Sequence, residues 1–388
     1  MNVGIAYNEF GNAHGIERVS SELARALARM GHDISFYCAR VEPGSRSDGV
    51  HIHKVPTVHV PHSAELLSFA ISARRKVSTG NHHLTHSHGS VVGCDIVTAH
   101  SCHKAGLLEA SRFLRKSASR GINLGLCDRV RLMIEHRIFG LRNYRKVIAV
   151  STSVQRELIQ FYALPPEDIS VIPNGVDLND FSPVKGRRWR EEIRSNLTIS
   201  SSDFVLLFVG NEFARKGLDT VLRSLTFLPH GAAHLIICGD DDDRDYRRLA
   251  ASLGVDRHVH FAGHQNDIAK YYAATDALVL PTYHEAFGLV TLEAMASGLP
   301  AVVSRSSGAG EDVISDGRDG LLLSDPGSEE ELAAKITCLL ANPQFRKELG
   351  LKAREKARSF GWEVCVRKVY DLYQEISDQP IKPLRGRT

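Results

Sequence analysis

Short apolar runs alternate along this chain with stretches in which apolar residues recur at helical spacing. The opening run NVGIAY reads as a strand, Ile16, Val19, Leu23, Leu27 and Met30 share one face of a helix that Gly31 ends, and DISFYC reads as the next strand. That is a βαβ beginning. The strand-like runs HIHKV, CDIVTA, KVIAV and ISVIP follow, with helical stretches between several of them. A second series opens at DFVLLFVG and repeats the alternation through HLIICG, HVHFAG, DALVLP and PAVVS. The pattern predicts an α/β protein of two Rossmann-like domains, each a parallel sheet covered by helices. The boundary is expected between PNGVD (Pro173 to Asp177) and Asp203, where Pro, Gly and Asn give way to the polar stretch RRWREEIRS.

Length and composition fit that reading, since 388 residues at 43% hydrophobic content are enough for two cores without disulfides or metal. Ligands of open α/β sheets sit beyond the carboxyl ends of the strands. Two such domains facing a central cleft would bring two substrates together, as a group transfer needs. The seven cysteines form no CxxC pair, and the first residues carry no basic leader. No run approaches the roughly 18 apolar residues of a membrane span. A cytoplasmic protein is expected, neither secreted nor transmembrane.

The net charge of +3 does not point to nucleic acid. Charge is nevertheless concentrated in residues 112–146, where Asp128 and Glu135 are the only acids among many arginines and lysines interleaved with apolar residues. Such a segment is either a solvated helical face or a contact for an anionic membrane surface, which would make the protein peripheral on the inner face of the cytoplasmic membrane. Glu135 is expected to pair with nearby arginines.

The segment DALVLPTYHEAFGLVTLEAMASGLPAVVS holds the most chemistry. A buried-strand run leads to Glu285, then to a glycine turn, then to a helix carrying Glu293. If that helix begins near Gly288, the backbone N–H groups of Phe287, Gly288 and Leu289 face ligand, and the positive helix end favours a diphosphate. Glu293, just over one turn in, leans back toward the N-terminus and can accept two hydrogen bonds from a vicinal diol such as ribose. Glu285, ahead of the turn, would face a sugar. Taken singly, each glutamate would read as a solvent-facing charge. The strand, turn and helix around them change that reading.

This segment resembles the glutamate-pair motif of glycosyltransferase family 4 (glycosyltransferase group 1), retaining GT-B enzymes that include lipopolysaccharide-core glucosyltransferases and phosphatidylinositol mannosyltransferases. The likeness continues in GNEFARKGLDT, VIPNGVD, HVHFAG and HGIERVSSELARAL with GHDI, over nearly the whole chain. It implies a nucleotide-sugar donor, a UDP- or GDP-sugar, held by an expected C-terminal domain at 179–360. An acceptor, a glycan or lipid-linked glycan, would be held by residues 1–178. Residues 361–388 are expected to supply a helix crossing back to the first domain and then a tail.

Carried over residue by residue, the resemblance places Arg215 and Lys216 on the donor phosphates, after the strand FVLLFVG, where adjacent cations would neutralise a leaving diphosphate. Many relatives have a basic residue directly after the strand glycine, whereas here Asn211 follows Gly210. In the N-terminal turn NEFGNAHGIERVS, where relatives often have two adjacent glycines, His14 precedes Gly15, so only Gly15 carries over as an acceptor or phosphate loop residue. His100, after CDIVTA, matches the histidine that the family sets beside the sugar ring. A neutral imidazole there can donate to a sugar hydroxyl. His88 and His103 read as bystanders. The run DDDDRD at Asp240 to Asp245 reads as a surface turn, and neither it nor the histidine-rich stretch is expected to hold metal. No cofactor is expected. A sugar-nucleotide epimerase of the same fold and a non-catalytic nucleotide-sugar-binding protein remain as alternatives.

Overall fold

The structure is a computed structural model that describes residues 1–11, 15–58, 60–117 and 125–378, with backbone only at 111–117, 185 and 187. It divides into two compact units, Met1–Gly175 with Trp362–Thr388 and Val176–Gly361. These junctions lie three residues before the expected 178/179 boundary and one residue after the expected 360/361 one.

Unit 1 contains β1 (Asn2–Ala6), β2 (Glu9–Phe10), β3 (Asp33–Cys38), β4 (Arg40–Val41), β5 (His51–Lys54), β6 (Leu84–Ser87), β7 (Ile96–Ala99), β8 (Lys146–Ala149) and β9 (Ile169–Val171). Seven of these form one sheet in the order β5-β3-β1-β6-β7-β8-β9, and β2 pairs β4 in a small second sheet. Every pairing is parallel. Helices α1 (Gly15–Arg29), α2 (His62–Thr79), α3 (His103–Ser117), α4 (Leu126–Glu135) and α5 (Thr152–Tyr162) connect them. In α1, Val19, Leu23 and Leu27 are buried as the periodicity requires, but Met30 lies past the helix end and is 40% exposed.

Strand β6 was not legible as a strand, because LTHS carries three polar residues out of four. All four are buried, since neighbouring side chains satisfy them: Thr85 shares hydrogen bonds with Asp95, and His86 bonds Thr98.

Unit 2 holds β10 (Phe204–Val209), β11 (Ala233–Cys238), β12 (Val259–Gly263), β13 (Ala277–Leu280), β14 (Ala301–Ser304) and β15 (Leu321–Leu323), in the order β12-β11-β10-β13-β14-β15 and again parallel throughout. Its two central strands, β10 and β13, are apolar at every position, as strands covered on both faces tend to be: all six residues of FVLLFV and all four of ALVL are buried. The helices are α6 (Gly186–Asn196), α7 (Leu218–Ser224), α8 (Arg244–Ser252), α9 (Ala269–Ala274), α10 (Leu289–Ala296), α11 (Gly308–Asp312), α12 (Glu329–Ala341) and α13 (Pro343–Ala357).

The polar stretch read as a boundary is α6, an integral part of unit 2. Its Arg194 is 2% exposed, pairs with Asp276 at 2.8 Å and donates to the carbonyls of Ala274, Ser200 and Asp203. A charged helix docks here because each buried guanidinium N–H finds an oxygen.

A last helix, α14 (Trp362–Ser377), returns the chain to unit 1. Val366, Val369, Leu372, Tyr373 and Ile376 share a core cluster with Ile5 of β1, Leu23 and Leu27 of α1 and Phe36 of β3. Helix α2 covers the opposite face through Phe69, Ala73 and Val77. No helix among the described residues is long and apolar enough to cross a membrane.

Candidate active site

Strand order reverses between β10 and β13 in unit 2, and the loops leaving such a switch point diverge to open a crevice at the carboxyl ends of the strands. Both loops that carry the sequence candidates start there. The loop after β10 brings Arg215 and Lys216, and the loop after β13 brings Glu285.

Lys216 turns back over the end of its own strand and is 8% exposed. Gly210 makes room for it, since a Cβ at that position would stand 2.3 Å from Lys216 Cε, and its φ of +139° is itself unfavourable for other residues. The loops are stitched together. Tyr283 N–H donates to the Arg215 carbonyl at 2.9 Å, and the Arg215 guanidinium reaches the His284 carbonyl. A Cβ on Gly217, at φ +75°, would strike the Pro281 carbonyl at 2.3 Å.

Lys216 Nζ donates to Glu285 Oε2 at 2.8 Å, and an Arg215 nitrogen stands 3.6 Å from the same oxygen. Arg215 is also held at 2.6 Å by Glu212. Burial would raise the Glu285 carboxyl, but the Lys216 ammonium and Arg215 guanidinium outweigh it and hold the pKa down at about 2. The carboxylate is therefore ionised at neutral pH. The cluster sets two cations against two carboxylates, Glu285 half-buried between them and Glu212 exposed on the outer side of Arg215.

Helix α10 begins as the sequence suggested, with Gly288 at its cap in a left-handed conformation (φ +94°). Behind the turn, Gly308 N–H donates to the Glu285 carbonyl and Ala309 N–H to that of Phe287. The peptide N–H groups of Phe287, Gly288 and Leu289 meet no acceptor among the described residues. Three amides at a positive helix end, with Arg215 and Lys216 close by, can together hold an anionic group such as a diphosphate.

Glu293 follows on the same helix, half-buried, with Oε2 accepting from the Tyr272 hydroxyl at 3.0 Å. Tyr272 is fully buried and also bonds the Val290 carbonyl, so it fixes the direction of the carboxylate. Sequence reasoning missed it, because a tyrosine in AKYYAATD looks like helix packing until its hydroxyl is placed.

The aspartate run folds as a polar turn. Asp241 accepts from the Phe213 N–H and so braces the β10 loop, while Asp242, Asp243 and Asp245 pair with Arg244, Arg247 and Arg248. Among the described residues no group of three or more His, Cys, Asp or Glu side chains converges as metal ligands would.

In unit 1 the strand order reverses between β1 and β6. Gly15 is exposed at the start of α1, after the β1 loop, and His14 lies outside the described residues. His100 follows β7, half-buried, and burial pushes its imidazole down to about 3, so the ring is neutral. His88, read as a bystander, touches His100: its Nδ1 lies 2.9 Å from His100 Nε2, with the two rings stacked. Glu135 does something other than the arginine pairing expected of it. Its carboxylate accepts from the N–H groups of His103 and Lys104 and from the Tyr162 hydroxyl, capping the start of α3.

Two family profiles match the chain, Glycosyltransferase Family 4 over residues 13–180 and Glycosyl transferases group 1 over residues 189–356. The chain is a group 1 glycosyltransferase. Among relatives of this glycosyltransferase, lipopolysaccharide glucosyltransferase WaaG of Escherichia coli is 27% identical across 88% of the chain and 90% of its own length. The crystal structure of WaaG superposes with a TM-score of 0.80 at 24% identity, covering 95% of this chain and 99% of that one, which establishes the GT-B fold. D-inositol 3-phosphate glycosyltransferase 2 of Catenulispora acidiphila is 28% identical over 97% of the chain and 93% of its own length. Anabaena HepE, solved with UDP-glucose, shares the fold with a TM-score of 0.75 at 18% identity, covering 97% of this chain and all of that one (100%). In this glycosyltransferase the structure brings Arg215, Lys216, Glu285, Phe287, Gly288, Leu289 and Glu293 together in unit 2, while Gly15 and His100 belong to unit 1.

Proposed function

We propose that this glycosyltransferase moves a hexosyl group, with retention of configuration, from a UDP- or GDP-sugar to a glycan or lipid-linked acceptor in cell-surface polysaccharide or glycolipid synthesis. The observation that carries this reading is the pairing of Lys216 and Arg215 with Glu285 beside the three bare amides of the α10 turn. The amides and the two cations take the diphosphate. Glu293, aimed by Tyr272, accepts from the ribose hydroxyls. Glu285 accepts from sugar hydroxyls on the donor, and His100 donates to one beside the anomeric carbon. The acceptor hydroxyl attacks C1 on the face from which the diphosphate leaves. The C1–O bond to phosphate breaks, the new glycosidic bond forms, and the departing phosphate oxygen takes the acceptor's proton. The charge that develops on the diphosphate falls on Arg215 and Lys216, so the reading requires no metal. Gly15 contributes to the acceptor side. HepE in complex with UDP-glucose and the lipopolysaccharide glucosyltransferase WaaG favour a UDP-hexose and an envelope glycan.

Lys216→Ala is expected to abolish nucleotide release even at saturating acceptor, with the protein still folded by circular dichroism; near-normal turnover refutes the phosphate assignment. A thermal-shift panel of UDP-, GDP- and ADP-sugars identifies the base. The basic segment 112–146, part of which lies outside the described residues, supports an anionic membrane surface as a second partner. Vesicles containing anionic lipid should bind more protein than neutral ones, and equal partitioning removes the membrane from the proposal.

A further inference from the structure

Strands β6 and β7 run parallel side by side, with His86 opposite Ile96 and Ser87 opposite Val97. Because side chains alternate along a strand, His86 and His88 project to one face of the sheet, as do Thr98 and His100. They meet as two rungs. His86 Nε2 lies 2.7 Å from Thr98 Oγ1, and His88 Nδ1 lies 2.9 Å from His100 Nε2. The lower rung is tied at its far end, where His86 Nδ1 lies 2.6 Å from the Tyr373 hydroxyl of α14. The upper rung ends at His88 Nε2, a buried nitrogen with no hydrogen-bond partner among the described residues, on a residue only 3% exposed.

That orphan nitrogen decides where the protons are. Burial drives all three imidazoles to the neutral form, so each carries one N–H. In one arrangement His100 Nε2–H donates to His88 Nδ1, and His88 must then carry its own proton on Nε2, a buried donor with no acceptor among the described residues. The His86 ring lies 4.5 Å away and inclined by only 30°, so an in-plane N–H of His88 does not point into its π face, and the Tyr7 ring, though inclined by 76°, has its centroid 6.4 Å off, too far for a close N–H to π contact. In the other arrangement His88 Nδ1–H donates to His100 Nε2, and the unpartnered Nε2 is a bare lone pair. An orphaned buried N–H is the rarer and costlier of the two. His100 then carries its proton on Nδ1, the nitrogen to which no described residue is bonded.

We propose that His88 is a positioning residue: by donating from Nδ1 to His100 Nε2 it fixes His100 as the Nδ1–H tautomer, so that His100 offers substrate a hydrogen-bond donor. The role rests on the reading of His100 as a residue that touches the sugar. The opposite tautomer would present a lone pair to a sugar hydroxyl and give nothing to an oxygen that needs a donor. A neutral donor suits a ring that gains positive charge at its anomeric carbon, where an imidazolium would repel it.

Ring-nitrogen NMR on the full chain labelled at histidine, with the His100 signals identified by their loss in His100→Gln, tests the tautomer directly. The expected result is a protonated Nδ1 and an unprotonated Nε2 on His100 in the unsubstituted protein; a protonated Nε2 overturns the proposal. Kinetics give the second arm. His88→Phe should lower kcat roughly tenfold or more, the loss of about one hydrogen bond's worth of control, with donor KM little changed. His88→Asn, whose amide can donate from near the Nδ1 position, should restore much of kcat. A His88→Phe enzyme with unchanged kcat, or one that the Asn variant does not surpass, overturns the positioning role. Full activity in His100→Ala would instead remove the contact of His100 with sugar, and the NMR result would still decide who sets its tautomer.

Discussion

Lys216 and Gly210 illustrate how one residue's function depends on another's lack of a side chain. The lysine reaches Glu285 only by lying across the strand end that Gly210 leaves bare. Gly210→Ala should therefore leave unit 2 folded, since the clashing atoms belong to the flexible end of a side chain, while pushing Lys216 off Glu285. Strain at φ +139° adds a cost on the order of 1–3 kcal/mol. Turnover is expected to fall much further than the melting temperature does, and a variant with native kcat would show that the lysine's path is irrelevant. The sequence placed Arg215, Lys216, Glu285 and Glu293 at strand ends and a helix start because glycine turns and apolar runs mark those points. It could not show that Lys216 and Glu285 bond each other or that Tyr272 aims Glu293, since both contacts join elements distant in the chain. The contact of His88 was hidden for the same reason: its partner His100 follows the neighbouring strand.

Among the elements, β6 departs most from its sequence appearance. A buried strand normally declares itself by a run of Val, Ile and Leu, and LTHS instead fills its core face with polar groups that bond across the sheet. The three leucines of β15 were too short a run to stand out. Housing neutral imidazoles makes unit 1 sensitive to acid. His86 has a pKa of about 3 in the folded chain against 6.5 when unperturbed, and His88 is also well below 6.5. The unfolded chain thus binds protons that the folded chain refuses as pH falls through 6.5. The stability these groups contribute is complete above that pH and declines as pH falls below it, for His86 by about 1.4 kcal/mol per pH unit down toward pH 3. Glu285 acts lower, its contribution complete above its unperturbed value of 4.5 and lost as pH falls toward 2. Urea unfolding followed by circular dichroism should show stability decreasing steadily between pH 6.5 and pH 4.5, before Glu285 contributes. A flat profile across that interval would mean the imidazoles are not held neutral.

On the scale of the whole molecule, the two units are built differently from the chain. Unit 2 is one continuous stretch, Val176–Gly361, whereas unit 1 takes its last helix from beyond it. The alternation of strands and helices revealed both sheets, whereas the return of α14 to unit 1 was expected from the family resemblance alone, because an amphipathic helix does not name the surface it covers. A fragment spanning 176–361 is expected to fold alone and to bind nucleotide in isothermal titration, while 1–175 without α14 leaves Ile5, Leu23, Leu27 and Phe36 uncovered and should melt without a cooperative transition. A cooperative melt from 1–175 would show that α14 is dispensable. The division also sets an order of events at the ribosome. Synthesis runs from the amino end, and earlier domains usually mature first. Here the first sheet emerges early yet lacks a wall of its core until the final helix is made, so the second half of the polypeptide is complete while the first is still waiting.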